Sequence, residues 1–114
     1  MISAWEVMEH IPENALPVML NNVYRHLEKN GIFACSVSTQ PDQDPNAGAV
    51  WHVTVRPREW WLDVFKTNGF KPVENHPYVI SDFPRGSGNL YAYAGDWDAR
   101  KTPDFGFHLI AERS

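Results

Sequence analysis

Glu6, Glu9 and His10 stand at positions i, i+3 and i+4, a spacing that places side chains on one face of a helical turn. Two carboxylates and an imidazole on one face offer three ligands to a divalent cation. His52, in the run Trp51-His52-Val53, offers a fourth from a distant part of the chain. Mixed oxygen and nitrogen donors suit Mn²⁺, Fe²⁺ or Zn²⁺, and Mg²⁺ also fits. Such a site can activate a hydroxyl, which is a poor nucleophile until it loses its proton. A bound cation lowers its pKa and fixes its oxygen. The same residues also fit a metal-free site, where glutamate or histidine caps a turn, lines a pocket or takes a proton. His10 and His52 are then the candidate bases. His26, His76 and His108 have no partner at ligand spacing and read as structural or surface residues.

Positioning these groups requires a scaffold. Periodicity predicts a helix over residues 15–28, with Asn14 as N-cap and Pro17 in the first turn. Leu16, Leu20, Val23 and Leu27 form its apolar face, and Asn30-Gly31 stops it. Residues 32–38 form an apolar run that reads as a buried parallel strand, followed by a polar loop over 39–49. A second helix is expected from Pro57 to Thr67, with Trp61, Val64 and Phe65 as its stripe and Asn68-Gly69 as its stop. Trp60 and Trp61 would point about 100° apart on that helix, one toward the core and the other toward a pocket or a neighbouring loop. Arg56 and Arg58 read as solvated helix-terminal residues that could also contact an anionic substrate. Further strands are expected over 70–80, 90–94 and 105–112, with a turn-rich loop over 81–88 and a polar connection over 96–104. This alternation argues for an α/β sheet with helices on its faces. The stretches 39–55 and 81–104 exceed ordinary connections and are expected to form lids or substrate-binding walls. Ile2-Ser3-Ala4-Trp5 reads as the tail of a buried strand cut off by Met1, so the chain is expected to be a piece of a larger sheet.

Composition sets outer bounds. The 114 residues fit one domain, and 43% hydrophobic with 13% aromatic content can build a core. A net charge of −4 gives no footprint for wrapping nucleic acid. No apolar run approaches the ~18 residues of a membrane span. Three glutamates among the first thirteen residues argue against a signal peptide. The single cysteine, Cys35, lies in an apolar run and reads as an inert core thiol. A cytoplasmic setting is the default expectation.

Three ordered segments resemble the C-terminal half of class I S-adenosylmethionine-dependent methyltransferases. Ser3-Ala4-Trp5-Glu6-Val7-Met8-Glu9-His10-Ile11-Pro12 resembles that family's fourth strand and following turn, commonly E-V-hydrophobic-E-H-I. The stretch from Leu20 through Lys29-Asn30-Gly31 to Phe33 resembles the helix, the R-x-L-K-P-G-G turn and the fifth strand. It departs from the pattern in having Asn30 for the proline and a single glycine. Arg56-Pro57-Arg58-Glu59-Trp60-Trp61 through Asn68-Gly69-Phe70 resembles the helix ending x-x-G-F before the sixth strand. Phe107-His108-Leu109-Ile110-Ala111-Glu112-Arg113 would be the seventh, antiparallel strand.

The resemblance implies a partial Rossmann-like sheet, strands four to seven with flanking helices, spanning 1–114 as one truncated domain. In the missing half the family keeps a glycine-rich loop and an acidic residue that hold the cofactor. Gly86-Ser87-Gly88 lacks the third glycine and reads as a turn. S-adenosylmethionine would therefore need a complementary N-terminal segment, with Ala4 and Trp5 at its edge; a core role for Trp5 is the other reading. The E-x-x-E-H motif with a later histidine resembles two metal-using groups, the small-RNA 3′-terminal 2′-O-methyltransferases and the ubiquinone-pathway O-methyltransferases. In the first, two glutamates and two histidines hold a metal that grips vicinal hydroxyls. By that match Glu6, Glu9, His10 and His52 would be the ligands. The implied activity is O-methyl transfer to a small molecule or sugar. The alternative is a non-catalytic half-domain that forms a homo-oligomer or docks on a partner through its open sheet edge.

Overall fold

The computed structural model describes residues 1–77 and 106–114. The expectations for residues 78–105, including the strand over 90–94 and the Gly86-Ser87-Gly88 turn, lie outside the described residues. In chain order the elements are β1 (Ile2–Trp5), α1 (Leu16–His26), β2 (Ile32–Ser38), β3 (Gln43–Asp44), β4 (Ala49–Val50), α2 (Arg58–Thr67), β5 (Phe70–Pro72) and β6 (Gly106–Arg113). Two short 3₁₀ turns, Met8–His10 and Glu13–Ala15, lie between β1 and α1.

The fold is α/β, with a mixed four-stranded sheet in the order β1-β2-β6-β5. β1 runs parallel to β2, with Ile2 opposite Phe33 and Trp5 opposite Ser36. β6 runs antiparallel to both β2 and β5. Strand alternation sorts the side chains of β2 and β6 to two faces. Phe33, Cys35 and Val37 join Phe107, Leu109 and Ala111 in the main core, which Leu16, Leu20 and Leu27 and then Trp61, Leu62 and Phe65 complete. Both described helices therefore feed the same face, where the sequence reading placed helices on the sheet's faces. On the other face Ala34 and Ile110 form a small cluster with Trp5, Ile32 and Val73.

The helices follow the expected periodicity with shifted ends. α1 begins at Leu16 without a side-chain cap, because Asn14 is taken up in the preceding 3₁₀ turn. It ends at His26, where Leu27 turns extended and buries itself in the core. Asn30 then adopts φ 63°, a left-handed conformation that asparagine tolerates better than most residues. α2 starts one residue after Pro57 and ends at Thr67, and Gly69 supplies φ 90° before β5. Trp61 is the core member of the tryptophan pair, while Trp60 meets it edge-on at 5.1 Å and lies beneath Arg56. Arg56 and Arg58 both sit in ion pairs, with Glu13 at 2.6 Å and Glu74 at 2.9 Å. Cys35 is fully buried, and burial pushes its thiol well above the usual range, so it is no nucleophile. No helix among the described residues is long and apolar enough to cross a membrane.

Candidate metal or hydroxyl-activating centre

The site lies at the carboxyl ends of the parallel strands β1 and β2, the edge of an α/β sheet where ligands usually bind. β1 ends at Trp5, and the chain turns sharply at Glu6, which has φ 54°. The Glu6 amide anchors this turn by donating to the Ser36 carbonyl at 3.0 Å and to Ser36 Oγ at 3.1 Å. The next residues form a 3₁₀ turn of three residues, Met8–His10, and not the longer helical turn that the i, i+3, i+4 spacing predicted. The left-handed Glu6 precedes that turn, so a continuous helical face does not form. Met8 points into the core, and Glu9 next to it is also fully buried.

Glu9 organises the site through both its side chain and its backbone. Its Oε1 accepts the Ser38 amide at 3.3 Å, at the end of β2. Its carbonyl accepts the amides of Val53 and Thr54, each at 3.0 Å. Thr54, fully buried, donates its hydroxyl to the Ile11 carbonyl at 2.6 Å. These bonds pin residues 53 and 54 against the turn and so carry His52 to His10, 42 positions apart in sequence. The two imidazoles meet edge-on with centroids 4.8 Å apart.

Both histidines have their proton placed by a carbonyl. His10 Nδ1 lies 2.7 Å from the Trp51 carbonyl, and His52 Nδ1 lies 2.6 Å from the Gln40 carbonyl. A carbonyl only accepts, so the acceptors assign the proton of each ring to Nδ1, and a neutral ring then carries its lone pair on Nε2. His52 Nε2 stands 3.9 Å from Asp42 Oδ2. Asp42 is itself fixed through its carbonyl, which accepts the amides of Trp51 and His52 at 3.0 and 3.2 Å.

One atom each from Glu9, His10 and His52 lie within 4.8 Å of one another. Ligands at about 2.0–2.2 Å from one tetrahedral ion sit roughly 3.3–3.6 Å apart, so the widest pair of this set would have to close by about an ångström to share a cation. Glu9 Oε2 is buried without a hydrogen-bond partner, an arrangement that ordinarily costs stability. Burial pushes the Glu9 carboxyl up to about 7, and the neighbouring Glu6 carboxylate adds to the rise. The amides of Glu9 and Ser38, and then His10, pull it partway back. An orphaned buried carboxylate oxygen and two histidines that donate Nδ1–H to carbonyls fit the donor set of a divalent cation. Metal-bound histidines characteristically donate their other N–H in this way.

No protein-family model matches the chain, and no curated protein matches it. The geometry is therefore the main ground for function.

Of the residues singled out from the sequence, Glu9, His10 and His52 come together. Glu6 lies outside that group but close enough to raise the Glu9 pKa. Ala4 and Trp5 sit at the end of β1 on opposite faces, Ala4 against the main core and Trp5 against the small cluster. Sequence reasoning missed Ser38, Gln40, Asp42 and Thr54. Ser38 and Gln40 act at the site through backbone atoms, which leave no signal in the sequence. Asp42 had a weak signal, an acidic residue in the same long loop as His52.

Proposed function

We propose that this chain provides the acceptor-activating wall of an S-adenosylmethionine-dependent O-methyltransferase. The observation that carries the reading is the Glu9–His10–His52 cluster at the carboxyl edge of β1 and β2. The antiparallel last strand, β6, agrees with what the resemblance to class I methyltransferases implies. Glu9, His10 and His52 would hold a divalent cation, which when bound lowers the pKa of an acceptor hydroxyl. S-adenosylmethionine supplies the methyl group and would lie near Ala4 and Trp5. By the resemblance it would be held mainly by a glycine-rich loop, which this sequence does not contain, and by an acidic residue on its ribose hydroxyls. The acceptor is a small molecule or a sugar.

The chain's own residues do the remaining work. The Ser38 amide fixes the Glu9 carboxylate, and the Trp51 and Gln40 carbonyls fix the two imidazoles, so the donors are preorganised before substrate arrives. A metal-free variant of the same reading is favoured by one observation, the Asp42 carboxylate beside His52 Nε2. There His52 takes the acceptor proton at Nε2, and Asp42 stabilises the imidazolium that forms. A second reading, docking of a partner or a second copy on the sheet edge, rests on β1 pairing on one side only among the described residues.

The reading is tested on the protein purified from its own cells. S-adenosylhomocysteine should form from S-adenosylmethionine when small hydroxyl compounds are added, and Glu9→Gln and His52→Ala should abolish it. No turnover with any acceptor, alongside a stable dimer in light scattering, would favour docking. Calorimetric titration of the 114-residue chain alone with S-adenosylmethionine should show weak binding or none. Tight binding would place the cofactor cradle on this chain and overturn the division of labour.

A further inference from the structure

The mouth of the β3–β4 hairpin carries two donor side chains, Asp42 just before β3 and His52 shortly after β4. The hairpin itself sets their spacing. Gln43 pairs with Val50 and Asp44 with Ala49, and the Asp42 carbonyl extends the ladder by accepting the Trp51 and His52 amides. Asp44 Oδ1 closes the far end by accepting the Asn46 and Ala47 amides at 3.0 and 3.3 Å, with Gly48 at φ 64°. Asp42 and His52 are therefore held on one unit. The amides of Val53 and Thr54 dock that unit on the Glu9 carbonyl.

The two side chains face each other in an arrangement that calls for a positive charge. His52 Nδ1 points at the Gln40 carbonyl, so a neutral ring presents the lone pair of Nε2. Asp42 Oδ2, another acceptor, lies 3.9 Å from that nitrogen. That is beyond the hydrogen-bond range of about 2.7–3.2 Å, so no proton is shared between them. Two acceptors facing one another repel unless a positive charge joins them. The gap suits a metal ion. Two ligands of one tetrahedral ion sit roughly 3.3–3.6 Å apart, so this pair would close by about 0.3–0.6 Å. The widest pair of Glu9, His10 and His52 must close further.

We infer that Asp42 is the fourth donor of the cation site, so that the turn after β1 supplies Glu9 and His10 and the mouth of the hairpin supplies His52 and Asp42. This rests on reading the cluster as a metal centre. It goes further by giving the fourth position to Asp42 in place of Glu6, the residue that the sequence spacing and the family resemblance offer for it. Glu6 precedes the 3₁₀ turn in a left-handed conformation and lies outside the three-residue group. Asp42 is outside that group too, but its carboxylate faces the His52 nitrogen that is left to bind a metal. Two carboxylates and two neutral imidazoles balance the charge of a divalent ion and suit a transition metal such as Zn²⁺.

The test titrates Zn²⁺ by calorimetry into the 114-residue chain and into Asp42→Asn, Asp44→Asn and Glu6→Gln. Asp42→Asn should weaken binding at least about tenfold, as loss of a ligand does. Asp44→Asn removes the same charge from the same hairpin and keeps an oxygen for the Asn46 and Ala47 amides, so it should weaken binding less than about threefold. Glu6→Gln should lose less affinity than Asp42→Asn. Asp42→Asn also keeps the carbonyl that accepts the Trp51 and His52 amides, so those two signals should stay in place in the metal-free ¹H–¹⁵N spectrum. Four outcomes would overturn the inference: full affinity in Asp42→Asn, a loss there that comes only with displaced Trp51 and His52 amides, equal losses in Asp42→Asn and Asp44→Asn, or the largest loss in Glu6→Gln. If Glu9→Gln weakens zinc binding and Asp42→Asn does not, the metal reading stands and this assignment alone fails. No zinc bound by the parent chain sinks both.

Discussion

The helix-covered face of the sheet and the carboxyl edge of β1 and β2 both bury side chains, yet they are built from opposite chemistry. The first packs Phe33, Phe65 and Phe70 within 6.1 Å of one another, ring centroid to centroid, and seals them with Trp61 and the leucines of α1. The second buries Glu9, Ser36, Ser38 and Thr54. Packing of the first kind stabilises the fold through area removed from water. The second contains a carboxylate whose burial raises its pKa, so holding it charged costs stability. A carboxylate kept in place although its charged form costs stability, on a backbone fastened by several hydrogen bonds, marks this edge as a candidate binding site.

Substitutions can break or sharpen this contrast. The largest effect is expected on the packed face. Trp61→Ala removes a fully buried indole and should cost about 3–5 kcal/mol in urea unfolding, a large part of an ordinary domain's stability. A loss below about 1 kcal/mol would show that the core does not close over Trp61 as described.

At the polar edge the sign reverses. The folded Glu9 pKa, about 7, lies above the ordinary 4.5, so the folded state holds more protons than the unfolded state between those values. Stability is therefore fullest below pH 4.5 and falls as pH rises to 7, by about 3 kcal/mol in total for this group. Glu9→Gln removes that fall. In the presence of a chelator, the stability of the variant relative to the parent should rise by about 3 kcal/mol between pH 4.5 and pH 8. Parallel stability profiles for the two proteins would contradict the buried placement of Glu9.

Two smaller effects complete the series. Thr54→Val removes the hydroxyl bonded to the Ile11 carbonyl and should cost about 1–2 kcal/mol. It should also broaden the His52 ring signals, because the loop that carries His52 loses an anchor. Arg56→Ala breaks an exposed pair with Glu13 and should leave the unfolding midpoint within error. A clear drop there would mean that the arginine clamps residues 56–58 to the turn before α1.

The contrast also explains what the sequence could reveal. The packed face was legible because burial imposes periodicity. Leu16, Leu20, Val23 and Leu27 marked α1, the run of residues 32–38 marked β2, and Asn30-Gly31 and Asn68-Gly69 marked the stops. Ends were less legible, since Asn14 competes between capping and the 3₁₀ turn. The hairpin of β3 and β4 was read as loop because two-residue strands show no alternation. At the edge, residue types pointed to Glu9, His10 and His52, but the helical face expected to unite Glu6 with them does not form. His52 is placed by amides donating to the Glu9 carbonyl, a backbone contact no side-chain pattern encodes.

Calorimetric titration with Zn²⁺ and Mn²⁺ at pH 7.5 tests the central claim, that Glu9, His10 and His52 form one preorganised donor set. The parent chain should bind one ion, and Glu9→Gln, His10→Ala and His52→Ala should each weaken binding at least about tenfold. Equal affinity in the parent and all three variants, or no binding by the parent, would contradict it.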